Sequence, residues 1–90
     1  YVPQRSQNEE LTNYGHLVFE HDGYIFHVVP MAKENDSNGV APCFICIERP
    51  DKTKALVNTN ENAITLFEDN GKSYQILTYW QNNLLCADII

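Results

Sequence analysis

The sequence predicts a mainly β domain assembled from antiparallel hairpins. Three observations lead there. Asp22-Gly23 and Asn70-Gly71 each lie between runs rich in β-branched and aromatic residues, and both pairs accept the positive φ angles of a tight hairpin turn. Turn-forming clusters recur at roughly 8–12-residue spacing from Gly15 onward, the rhythm of a sandwich, barrel or meander. No long apolar stripe follows the polar residues 1–13, so any helix there is short, about two turns. The expected architecture is a single antiparallel sheet, or a small barrel or sandwich, of about six strands. An α+β fold with a short N-terminal helix is the alternative.

Residues 1–13 are polar and form an arm or a short helix, because Ser6 with Glu9 or Glu10 makes a capping box. Residues 14–90 make one β-rich domain. Its strands are expected near 15–21, 24–32, 41–48, 54–58, 63–68 and 73–80, with softer turns near 34–39, 50–54 and 58–62. The tail 83–90 contains Leu84-Leu85-Cys86-Ala87-Asp88-Ile89-Ile90. A run this short fits an edge strand or a turn of helix.

Two-residue turns set the register of both hairpins. Around Asp22-Gly23, His21 faces Tyr24, Phe19 faces Phe26 and Leu17 faces Val28. Side chains alternate along a strand, so Leu17, Phe19, Tyr24, Phe26 and Val28 make a core face. His16, Val18, Glu20, Ile25, His27 and Val29 make a mixed outer face. Around Asn70-Gly71, Phe67 faces Tyr74, Thr65 faces Ile76 and Ile64 faces Leu77. This hairpin is apolar on both faces, with a surplus at Ile64, Leu66, Leu77 and Tyr79 that calls for a cover. The unbroken run Cys43-Phe44-Ile45-Cys46-Ile47 reads as a strand buried on both faces.

The chain has 90 residues and a formal net charge of −6, with 43% hydrophobic and 20% charged residues. These values suit one folded domain with a thin core. Six scattered basic residues are too few and too dispersed for direct nucleic-acid binding. No apolar run reaches the roughly 20 residues of a membrane span. No basic region followed by an apolar stretch marks a signal peptide. The sequence begins at Tyr1 and not at a methionine, which reads as a processed chain or a piece of a longer one. Three cysteines make a poor disulfide framework, so a reducing cytoplasm is expected. Asn35-Asp36-Ser37 matches the glycosylation sequon, a pattern common by chance.

A simple meander gathers Asp22, Asp51 and Asp69 at one end, diluted by Lys52, Lys54 and Lys72. It gathers Glu34, Asp36 and Glu61 at the other as an acidic rim. Cys43-x-x-Cys46 has metal-motif spacing, but on a strand the two sulfurs point to opposite faces, so both read as core cysteines. His16, Glu20 and His27 share one face. Two imidazoles and a carboxylate are a weak candidate for a divalent metal or an acid–base pair, against the plainer reading of polar residues on a wet sheet face. Among Tyr74, Tyr79 and Trp80, the consecutive pair faces opposite ways. With Leu77, Tyr79 and Trp80 are candidate interface residues, since Trp and Tyr are enriched at interfaces.

No nucleophile elbow, phosphate loop, dinucleotide fingerprint or zinc-protease motif is present. The expectation is a non-enzymatic, acidic binding module without cofactor. It would contact a protein partner, a basic one in the charge-driven version, through Glu34, Asp36, Glu61, Leu77, Tyr79 and Trp80. An inhibitor that occupies the basic groove of a nucleic-acid-handling enzyme, as some phage-encoded proteins do in the host cytoplasm, is one form of it. A small metal- or His-dependent hydrolase using His16, Glu20 and His27 is the second reading. A structural subunit or domain of a larger chain, able to homodimerise, is the third.

Overall fold

The computed structural model describes residues 2–5, 16–31, 39–81 and 84–90. Among them are eight strands: β1 (Val2–Arg5), β2 (Leu17–His21), β3 (Tyr24–Pro30), β4 (Cys43–Glu48), β5 (Lys54–Asn58), β6 (Ile64–Asp69), β7 (Lys72–Gln81) and β8 (Leu84–Ile89). They form two four-stranded sheets, β2-β3-β4-β5 and β1-β8-β7-β6. Every pairing is antiparallel. The fold is a mainly β sandwich of hairpins, with two strands more than the six expected. The helix anticipated at Ser6 lies outside the described residues.

Both predicted hairpin registers are observed. Phe19 pairs with Phe26 and Leu17 with Val28; Phe67 pairs with Tyr74 and Thr65 with Ile76. The turns are the cause. Asp22 and Gly23 have φ of 55° and 86°, and Asn70 and Gly71 have 55° and 77°, as a type I′ turn requires. The 49–53 connection is built differently. Lys52 N–H donates to Arg49 O, Arg49 N–H donates to Thr53 O, and Lys52 has φ of 75°. This is a type I turn closed by a left-handed residue. The 60–64 connection repeats it, with Ala63 at φ 61° and Ala63 N–H donating to Asn60 O.

The two inner faces meet in one core. Leu17, Phe19, Phe26, Val28, Cys43, Ile45 and Ile47 come from one sheet; Phe67, Ile76, Trp80, Leu85, Ala87 and Ile89 come from the other. Phe19 and Phe26 stack at 5.0 Å, while Phe67 meets Phe26 and Tyr24 edge-on at 6.5 and 5.7 Å. Aromatic pairs in these geometries bind each other beyond their shared buried area.

Three expectations change. Val2–Arg5 is a strand and not an arm or helix, and it covers the outer edge of β8. The tail is a strand, because β7 on one side and β1 on the other supply its hydrogen bonds. The run 43–47 is buried on one face only: Cys43, Ile45 and Ile47 are buried, whereas Phe44 is exposed and Cys46 half-buried. Nothing described packs on the outer side of β4, so the two faces separate despite their shared apolarity.

β7 reaches ten residues because two partners flank it in succession. β6 pairs with it as far as Leu77. Beyond that point Trp80 N–H donates to Gly39 O at 2.7 Å and Ala41 N–H donates to Thr78 O at 3.0 Å. The Thr78 hydroxyl, fully buried, donates to Ala41 O. Residues 39–41 therefore tie the β3–β4 connection to the opposite sheet.

Candidate functional site

Three cross-strand rows cover the outer face of β2–β5. Val18 pairs with His27, His27 with Cys46 and Cys46 with Leu56. To one side Val29 pairs with Phe44 and Phe44 with Asn58. To the other, Glu20 pairs with Ile25, Ile25 with Glu48 and Glu48 with Lys54. Val18, Val29 and Phe44 are 43–44% exposed and Leu56 is 73% exposed. A solvated sheet face normally carries polar residues. Here two of three rows are largely apolar, and the third is acidic, since Glu48 directly opposes its one lysine.

His16 and His27 approach to a ring separation of 6.5 Å, as the register predicted. Glu20 does not join them in one site. It stands four residues from His16 on the same strand, about 13 Å at strand rise. Among the described residues no three His, Cys, Asp or Glu side chains are grouped to hold a metal ion. Cys43 is buried, and burial pushes its thiol up to about 11, which leaves it protonated and unreactive near neutrality. Cys46 points to the outer face, so the two cysteines do separate across the sheet.

The other predicted interface residues scatter. Trp80 is 1% exposed and belongs to the core, because its position on β7 faces inward with Ile76 and Thr78. Tyr79 and Leu77 are half-buried on the outer face of the second sheet, and the Tyr79 hydroxyl donates to Asp88 Oδ1 at 2.9 Å. Glu61 is exposed in the 60–64 turn. Glu34 and Asp36 lie outside the described residues, so the acidic rim is not described. Sequence reasoning missed Phe44 and Leu56. A signal existed at Leu56, which shares its face with Lys54 and Asn58, but Phe44 was hidden by its apolar neighbours.

Asp22 and Asp69 occupy one end, joined there by a polar clasp between the sheets. The Tyr24 hydroxyl donates to Asp69 Oδ2 at 2.6 Å, and Arg49 Nε donates to Asp69 Oδ1 at 3.0 Å. In the reverse direction the Tyr74 hydroxyl donates to Asp22 Oδ2 at 3.0 Å. The Tyr24 bond, then Arg49, holds the Asp69 carboxyl below its usual range. The same bond pushes Tyr24 up to about 12, and burial followed by the Asp22 bond raises Tyr74. Neither tyrosine is poised to move a proton at neutral pH, so the clasp joins the sheets and does not resemble an acid–base site.

Among the described residues no helix is long and apolar enough to cross a membrane. Comparison of the chain with known protein families, with curated proteins and with solved structures finds no significant match.

Proposed function

We propose that this chain is a non-enzymatic binding module whose docking surface is the outer face of β2–β5. One observation carries the reading: Val18, Val29, Phe44 and Leu56 are all exposed on a single sheet face. Apolar groups brought together on one face gain by leaving water with a partner. The partner is a protein segment with an apolar side and basic flanks. Glu20 and Glu48 edge the apolar rows, and the whole chain carries −6, which steers basic partners toward it.

The test uses a synthetic peptide of alternating lysine and leucine, titrated into isotopically labelled protein. Amide shifts are expected to cluster at residues 18, 27, 44, 46 and 56. Phe44→Ser with Leu56→Ser should weaken binding at least tenfold, and Leu66→Ser, on the other sheet, should leave it unchanged. Shifts scattered over both sheets, or equal binding by the double variant, would sink the proposal.

A further inference from the structure

The outer face of β2–β5 carries histidine in the middle of its apolar rows. His27 stands inside the central row, between Val18 on β2 and Cys46 on β4, with Leu56 beyond Cys46 on β5. The ring of His16, an exposed residue, lies 6.5 Å from the ring of His27. Val18 and Leu56 are both exposed. An occupant that covers the two of them must also pass over His27. Histidine is the side chain that ordinarily changes charge between about pH 5 and 8.

Resting on the docking reading above, we propose that protons control this face: neutral histidines admit the partner and protonated ones exclude it. Two effects act in the same direction. A charge withdrawn from water without a counter-charge disfavours the covered state. A positive charge also repels the basic flanks of the partner.

The groups around His27 among the described residues set the sign. Cys46 faces it directly from β4. Glu20 on β2 and Glu48 on β4 both pair with Ile25, two residues along β3, and so stand diagonally from His27, about 7–8 Å away. Lys54 lies one strand further out, opposite Glu48. His16 adds a second imidazole, and two like charges so close repel each other. Before docking, the two carboxylates attract an imidazolium across water. Docking brings the partner's lysines onto those same carboxylates, so the imidazolium loses its counter-charges along with its water. Protons must leave as the partner docks, and linkage then makes binding weaken as pH falls.

The alternating lysine–leucine peptide, titrated at pH ~7.5 and ~5.5 at fixed ionic strength, reads the effect. An ordinary histidine, near 6.5, is about nine-tenths protonated at the lower pH. Exclusion of one imidazolium therefore weakens binding about tenfold, and exclusion of two weakens it further. Calorimetry at pH ~6.5 in buffers of different ionisation enthalpy should show protons released on docking. His16→Gln with His27→Gln should keep the circular dichroism of the parent, bind with one affinity at both pH values and release no protons. His21 packs edge-on against Tyr74 instead, so His21→Gln should keep the full dependence. Equal or tighter wild-type binding at pH ~5.5 would overturn the proposal and leave the docking face standing. A double variant that still weakens in acid would overturn it too, because the titrating groups would then lie elsewhere. A peptide that shifts no amide of this face at pH ~7.5 would remove the docking reading, and the proton control with it.

Discussion

Thr65 is 1% exposed, and its hydroxyl has no hydrogen-bond partner among the described residues. A buried hydroxyl left unpaired costs about 1–3 kcal/mol. Thr65→Val keeps the shape and removes that cost, so denaturant unfolding should show a gain of about 1 kcal/mol. Lys52 offers a second gain of similar size. It is exposed and holds φ of 75°, a conformation that costs a residue with a Cβ roughly 1–2 kcal/mol. Lys52→Gly should raise stability by about 1 kcal/mol in the same assay. Ala63 shares the left-handed backbone but is fully buried, so the relief that glycine brings there is offset by lost packing. Neither left-handed residue was legible in the sequence, which places no glycine or asparagine at 52 or 63. Phe26 stands opposite in effect. It is fully buried and meets rings from both sheets. Phe26→Ala should cost about 3–5 kcal/mol, enough to unfold much of a domain this small.

At the scale of elements, hairpins were the most legible feature and edges the least. Asp22-Gly23 and Asn70-Gly71 act within a few residues, so their registers follow from local chemistry. β1 has no such signature. Val2-Pro3-Gln4-Arg5 looks like an arm until β8, more than eighty residues later, supplies its partners. Pro3 fits there because an edge strand spares one N–H. β1 in turn covers the edge of β8, in which Leu85 through Ile89 are all buried. Deletion of residues 1–5 should expose that edge, lower the melting temperature and produce concentration-dependent light scattering. A truncated chain that melts and stays dispersed like the parent would refute this role for β1. The β4 face was misread for a related reason. Phe44 and Ile45 are equally apolar, and only the placement of the second sheet decides which of them is covered.

For the whole molecule, the clasp makes stability depend on pH at both extremes. Asp69 ionises more readily in the folded state than in the unfolded chain, where its value is about 3.9. Its contribution is present above that value and is lost as pH falls through the lower folded value. Tyr24 behaves oppositely. Its folded value of about 12 exceeds the unfolded value of about 10, so its contribution is complete below pH ~10 and disappears as pH rises toward ~12. Melting temperature against pH should therefore hold through neutrality and fall at both ends. Tyr24→Phe should move the acid transition to higher pH and flatten the alkaline fall, leaving Tyr74 to supply what remains. An unchanged pH profile in that variant would show that the Tyr24–Asp69 bond carries no weight in solution.

Local chemistry in the chain was sufficient for the β class, both hairpin registers, the inward face of the first hairpin and the separation of Cys43 from Cys46, because turn residues and strand alternation act over a few positions. Long-range packing set the rest. It drew Trp80 into the core, paired β1 with β8, spread His16 and Glu20 along one strand too far apart to share an ion, and left Phe44 and Leu56 facing outward. The reason is physical: an apolar side chain is indifferent to which surface covers it, and the choice rests with a second sheet whose approach no local pattern encodes.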